Sequence, residues 1–211
     1  AKFYHRHLAN WLKLIQILSF VCFILMCYYA FLLKLDTLIS IGCFALLTVL
    51  YAIPFYPKQY NSLRNISGLK VYVIAIVWTG VTVFVPIVNA EYNLNTDVIL
   101  LAIQRFLYVI VLMLPFEIRD LKFDALKLST IPQKLGVEKS KILGIMLLIL
   151  LYLLEFLKDE ITINSSIVLL SILVITGLVL WFSKTEQNKY YSSFWVEGLP
   201  ILWLILLLCS N

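Results

Sequence analysis

The residues of this chain whose types and spacing could do chemistry lie in Leu114–Asp124, LPFEIRDLKFD. Glu117, Asp120 and Asp124 are spaced i, i+3, i+7. On a helix that spacing stacks three carboxylates on one face, about one turn apart. Arg119 and Lys122 fall between them and turn roughly to the other side. Stacked carboxylates repel one another unless a cation neutralises them. Hard oxygen ligands with open geometry suit Mg²⁺, which keeps several waters and shares its shell with a substrate phosphate. One reading is therefore a Mg²⁺–diphosphate site at the mouth of a membrane protein. The other is a solvated, mixed-charge loop between two membrane helices. The spacing alone leaves both open.

The rest of the chain sets where such a site would sit. Of 211 residues, 62% are hydrophobic and 14% charged, against about 25% charged in soluble domains. Together with long uncharged runs, this excludes a soluble domain and predicts an integral, multi-pass protein of an inner or cell membrane. The net charge of +5 comes from bases gathered in particular loops, so no nucleic-acid partner is expected. Cys22, Cys27, Cys43 and Cys209 all lie in apolar runs without a CxxC. They read as small buried packing residues, not as a disulfide or metal cluster. His5 and His7 form an HxH with no third ligand nearby, and read with Trp11 and Lys13 as interfacial residues.

Hydropathy predicts an all-α membrane protein with seven transmembrane helices in a single domain over 1–211. The predicted spans are 14–33, 37–55, 71–90, 98–116, 142–157, 163–183 and 191–209. The first has no small-residue cleavage site after it and reads as a span, not a signal peptide. Pro54 and Pro57 end the second span and Pro115 the fourth. Arg105, inside the fourth, costs about 2.5–3.5 kcal/mol unless paired, and Glu155 is its expected partner. The loop 56–70 carries Lys58, Arg64 and Lys70 and no acid, interleaved with Tyr56 and Tyr60 and preceded by Tyr51. It reads as a positive-inside loop that can also clamp an anionic head group. Seven spans put all the loop bases except Lys34 and Lys158 on one side. That side is then cytoplasmic, with the N-terminus and the loops 56–70 and 117–141, and the C-terminus is outside.

The run Glu117-x-x-Asp120-x-x-x-Asp124, followed by Thr130-Ile131-Pro132 and Leu135-Gly136, resembles the second aspartate-rich motif of the UbiA superfamily of intramembrane prenyltransferases. Leu128 stands near the family's usual glycine, and Ile131 replaces a leucine. Tyr56-Pro57-Lys58 with Arg64 is more loosely similar to the family's tyrosine- and lysine-containing loop. The family fold has nine helices, and the seven spans match its last seven. The first two helices, and the first motif of Asn-Asp-x-x-Asp type, are absent from this chain, so it would lack an N-terminal helix pair.

The resemblance implies an isoprenyl group moved from a prenyl diphosphate to an aromatic or other lipophilic acceptor, with Mg²⁺ as cofactor. Asp120 and Asp124 would be the catalytic metal ligands, with Glu117 a third or supporting carboxylate. Lys58 and Arg64 would clamp the diphosphate, assisted by Arg119 or Lys122. Tyr51, Tyr56 or Tyr60 would stabilise the allylic cation. The missing first motif keeps a second expectation in play: a catalytically impaired relative that binds a prenyl diphosphate or lipid, or scaffolds partners. A transporter fits less well, because Arg105, Glu155 and Glu197 make a thin polar path through the spans.

Overall fold

The computed structural model describes residues 2–52, 68–121, 130–159, 161–188 and 190–210, with side chains from Leu12 onward. All regular structure among the described residues is helical. In chain order the elements are α1 (Lys2–Phe31), α2 (Leu35–Ala52), α3 (Leu69–Thr79), a π-helical turn (Gly80–Phe84), α4 (Val85–Asn89), α5 (Thr96–Asp120), α6 (Ile131–Leu135), α7 (Val137–Glu155), α8 (Ile163–Trp181), a second π-helical turn (Tyr191–Val196) and α9 (Glu197–Ser210). Among the described residues six stretches are long and apolar enough to cross a membrane: Leu12–Phe31, Leu35–Ala52, Leu69–Asn89, Thr96–Asp120, Ile163–Trp181 and Tyr191–Ser210. The chain is thus a multi-pass membrane protein. The remaining long helix, α7, opens on Glu138, Lys139 and Lys141 and closes on Glu155, which shortens its apolar stretch.

α5 is the axis of the bundle. It packs against α3, α7 and α8 and starts under an Asn95 cap, whose side chain accepts from the Val98 N–H at 3.0 Å. Its buried face, Tyr108, Val111, Leu114 and Ile118, recurs at intervals of three and four and meets Leu148 and Leu151 of α7 and Ile172 and Leu180 of α8. By contrast, none of the Leu12–Phe31 span of α1 is buried. Three of the four cysteines, Cys22, Cys43 and Cys209, are exposed on helix surfaces. That corrects the buried packing role expected of them, since an apolar run in a membrane faces lipid as readily as protein.

Two glycines permit close approaches. A Cβ at Gly80 would fall on the Phe44 ring, so the glycine that opens the π turn lets α2 seat against it. A Cβ at Gly144 would collide with Leu180 and come 2.8 Å from Leu114 Cδ1. Gly144→Val is accordingly expected to destabilise the bundle by about 1–3 kcal/mol through overpacking. Gly177→Ala, whose Cβ would meet Leu148 Cδ1 at 3.6 Å, should be nearly neutral. Thermal unfolding of the two variants in one detergent checks the contrast.

Polar links between loops fall into two groups, one at each end of the bundle. At one end Lys34, in the α1–α2 turn, pairs with Glu91 after α4. There too the Asp159 N–H donates to Asp97 at 3.0 Å, and Asn164 donates to the Ser210 carbonyl at 3.2 Å. At the other end Arg119 donates to Ser192 at 2.9 Å and Gln187 to the Pro115 carbonyl at 3.2 Å. Lys34 holds the Glu91 carboxyl below the usual glutamate range. A lowered pKa contributes stability at neutral pH that is lost as the pH falls through it. The Lys34–Glu91 contact should therefore open at a lower pH than that at which an unpaired glutamate protonates. Carboxyl NMR of Glu91, titrated with and without Lys34→Gln, reads that shift directly.

Candidate functional site

The helix that carries the acidic motif does not stop at Pro115. α5 continues through Pro115 to Asp120, which corrects the expected break. Proline removes one helical N–H and disfavours the helix at the residue before it, yet the turn that follows is held from outside. Pro115, Glu117 and Ile118 are all buried, and the Gln187 side chain binds the Pro115 carbonyl. Twenty-five residues at about 1.5 Å each give about 37 Å, longer than the roughly 30 Å hydrocarbon layer. The charged ends of α5, Asp97 at one and Glu117 to Asp120 at the other, are where that surplus can lie.

Asp120 and Arg119 do not face apart as the spacing suggests. The Arg119 Nε donates to Asp120 Oδ1 at 2.7 Å, and a terminal guanidinium nitrogen donates to Oδ2 at 3.2 Å. The other terminal nitrogen donates to Ser192 Oγ. The long side chain thus curls back over its neighbour, within 5.5 Å of the Phe116 ring. Ser192 is fully buried and also accepts from Gln187 at 3.3 Å. Glu197, exposed at the start of α9, adds a weaker attraction on Arg119. Asp120 and Arg119 keep 26% and 29% of their side-chain surface exposed, so the pair is open to exchange with a ligand.

Glu117 behaves differently. It is 2% exposed and accepts from the Ile131 N–H at 3.3 Å. Thr130-Ile131-Pro132 is therefore docked onto the end of α5 by the first acid of the motif. The Thr130 N–H in turn donates to Gln133 at 3.1 Å, a link typical of a capping box. Gly136, between α6 and α7, has φ 83° and ψ 163°, a region essentially closed to other residues. Gly136→Ala should cost about 1–3 kcal/mol although a Cβ there has open space around it. A fall in melting temperature without lost helicity would show it.

Of the proposed site residues, Glu117, Arg119 and Asp120 share one turn of helix, and Tyr51 lies in the last turn of α2. Tyr56, Lys58, Tyr60, Arg64, Lys122 and Asp124 lie outside the described residues. Among the described residues no three acidic, histidine or cysteine side chains gather in a metal-binding group. Gln187 and Ser192 escaped the sequence reading; both are ordinary polar residues near a turn, with nothing in their spacing to single them out.

A second polar cluster overturns an expected ion pair. Glu155 accepts not from Arg105 but from its neighbour Gln104, at 2.9 Å, and from Lys158. Gln104 also donates to the Leu151 carbonyl at 3.2 Å. Arg105 instead stacks 4.2 Å from the centre of the Trp203 ring, a cation–π contact between α5 and α9. Trp203 meets Tyr108 edge-to-face at 4.9 Å, and the Tyr108 hydroxyl lies 3.3 Å from that of Thr176.

Comparison of the chain with family models, with curated proteins and with solved structures finds no match.

Proposed function

We propose that this chain is a UbiA-like intramembrane prenyltransferase, moving an isoprenyl group from a prenyl diphosphate to an aromatic or other lipophilic acceptor. The observation that carries the reading is the last turn of α5. It brings a partly exposed carboxylate, Asp120, and a guanidinium, Arg119, to the end of a span and buries Glu117 beneath the Thr130-Ile131-Pro132 turn. Asp120 fits a magnesium site as a hard oxygen donor at a membrane surface, and Asp124 would join it. Glu117, buried and hydrogen-bonded, suits the part of positioning residue for that turn. Bound Mg²⁺ would screen the charge that develops on a leaving diphosphate. Arg119 would bind diphosphate oxygens and Asp120 would help hold the metal, with Lys58, Arg64 and Lys122 as further cations. Tyr51, Tyr56 and Tyr60 would face the allylic cation.

The same reading takes α7 as a membrane crossing, for seven in all. Seven crossings put alternate loops on opposite faces, which agrees with the way the polar links divide between the two ends. The end with Asp120 collects the bases and is cytoplasmic by the positive-inside rule.

The second reading, a catalytically impaired relative that binds a lipid or diphosphate or scaffolds partners, draws on one observation. Both Asp120 oxygens are already engaged by Arg119. Equilibrium binding of farnesyl or geranylgeranyl diphosphate, with Mg²⁺ and with EDTA, separates the two. Binding that requires Mg²⁺ supports the transferase. Binding indifferent to EDTA, or none, leaves the second reading.

A further inference from the structure

Apart from the α5 carboxylates, the helix pair α7–α8 carries a polar pocket and an apolar groove in line with each other. The pocket, about 430 Å³, is lined by Glu138, Lys141, Ser183, Lys184, Thr185 and Glu186. It contains two ammonium groups, two carboxylates and two hydroxyls, and none of the residues proposed for the metal. Lys141 is 8% exposed, with its ammonium 3.3 Å from Glu138, so one of the cations is held in place by the fold. The groove, about 410 Å³, is lined by apolar side chains, among them Ile145, Ile149, Tyr152, Val174, Leu178 and Trp181. Both volumes are in the range of about 300–1,000 Å³ that holds small ligands.

The helical register joins the two. Ile145 and Ile149 follow Lys141 at intervals of four and so continue its stripe down α7. On α8, Trp181 closes the helix two residues before Ser183, with Leu178 and Val174 successively deeper. An open polar depression with both signs of charge thus lies one helical turn beyond an apolar groove along the same pair of helices. An anionic head group would meet Lys184 and compete with Glu138 for Lys141, and would be repelled by Glu138 and Glu186. A head group with a phosphate and a primary ammonium complements all four.

We propose that α7 and α8 form a specific site for one zwitterionic aminophospholipid of the phosphatidylethanolamine class. Its phosphate lies between Lys141 and Lys184, its ammonium toward Glu138 and Glu186, and an acyl chain in the groove below. A choline head group offers no N–H to the carboxylates, and a glycerol head group offers no cation.

Native mass spectrometry of the delipidated full chain tests this, with phosphatidylethanolamine, phosphatidylcholine and phosphatidylglycerol of identical chains. The expected result is one tight phosphatidylethanolamine, bound about tenfold more strongly than the other two, as for a hydrogen bond to a charged group. Lys184→Gln, at an exposed position, should weaken it about tenfold. Glu186→Gln should erase the preference over phosphatidylcholine, and Val174→Trp should lower binding of all three lipids by filling the groove. Equal binding of the three lipids, a preference for phosphatidylglycerol, or Lys184→Gln and Glu186→Gln both without effect would overturn the proposal. So would displacement of the lipid by geranylgeranyl diphosphate, which would make the pocket part of the diphosphate site. The lipid ranking does not depend on whether the chain is a transferase.

Discussion

Asp120→Asn is expected to weaken Mg²⁺-dependent binding of a prenyl diphosphate by about ten- to a hundredfold, the value of about 1.5–3 kcal/mol for a bond to a charged group. The sign is informative, because Asp120 has two possible duties. As a metal ligand, its loss weakens binding in Mg²⁺ and leaves the EDTA value alone. As a mere partner for Arg119, its loss frees a guanidinium and strengthens binding in EDTA. The fold should survive either way. The Arg119–Asp120 pair is more than a quarter exposed, and pairs of that kind contribute about 0–1 kcal/mol. An unchanged melting temperature in Asp120→Asn is therefore the control. Asp124→Asn should move Mg²⁺-dependent affinity in the same direction. If neither variant binds more weakly in Mg²⁺, the carboxylates are not metal ligands.

Glu155→Ala should have the largest effect on stability, a loss of about 3–5 kcal/mol, as when a buried pair loses one member. Glu155 is 5% exposed and receives two donors, Gln104 from α5 and Lys158 from the turn after α7. Its removal leaves a largely buried ammonium and one unmet N–H of the Gln104 amide, whose other bond to the Leu151 carbonyl remains, at the joint between those helices. Glu155→Gln keeps a partner for Gln104 and should cost less. Arg105→Gln tests the neighbouring contact separately. It removes a cation from the Trp203 face, worth about 0.5–2 kcal/mol. If Arg105 were the partner of Glu155, Arg105→Gln would match Glu155→Ala. Chemical denaturation in a single detergent ranks the three variants.

Hydropathy made most of the helices legible, with ends misplaced by a few residues except that α1 begins at Lys2, well before the expected span. It saw Val71–Ala90 as one span but not that the span is built of α3, a π turn and α4. Pro115 was misread because a proline rule weighs the local backbone only. The contacts that keep the turn helical come from Gln187 and from burial in a core assembled far along the chain. Arg105 was misread for a matter of phase. Adjacent residues on a helix point about 100° apart, and with apolar neighbours on every side the sequence carries no sign of which faces α7. Gln104 faces it. The acidic motif was legible as carboxylates on a helix, but the division of labour within it was not. Burial of Glu117 follows from the return of Thr130-Ile131-Pro132, a contact that no spacing within the motif encodes.

α1 gives the bundle nothing to hold. Over Leu12–Phe31 none of its residues is buried in the protein, and the short connection through Lys34 joins it to α2. Within the described residues such a helix makes few demands on its own side chains. Exchanges among Leu, Ile, Val and Phe along it should pass unnoticed by the fold, while one charge at its middle would cost insertion about 2.5–3.5 kcal/mol. In evolutionary terms it is free to drift in sequence while being held to a composition. α5, with partners on several sides, is held to particular side chains at particular positions.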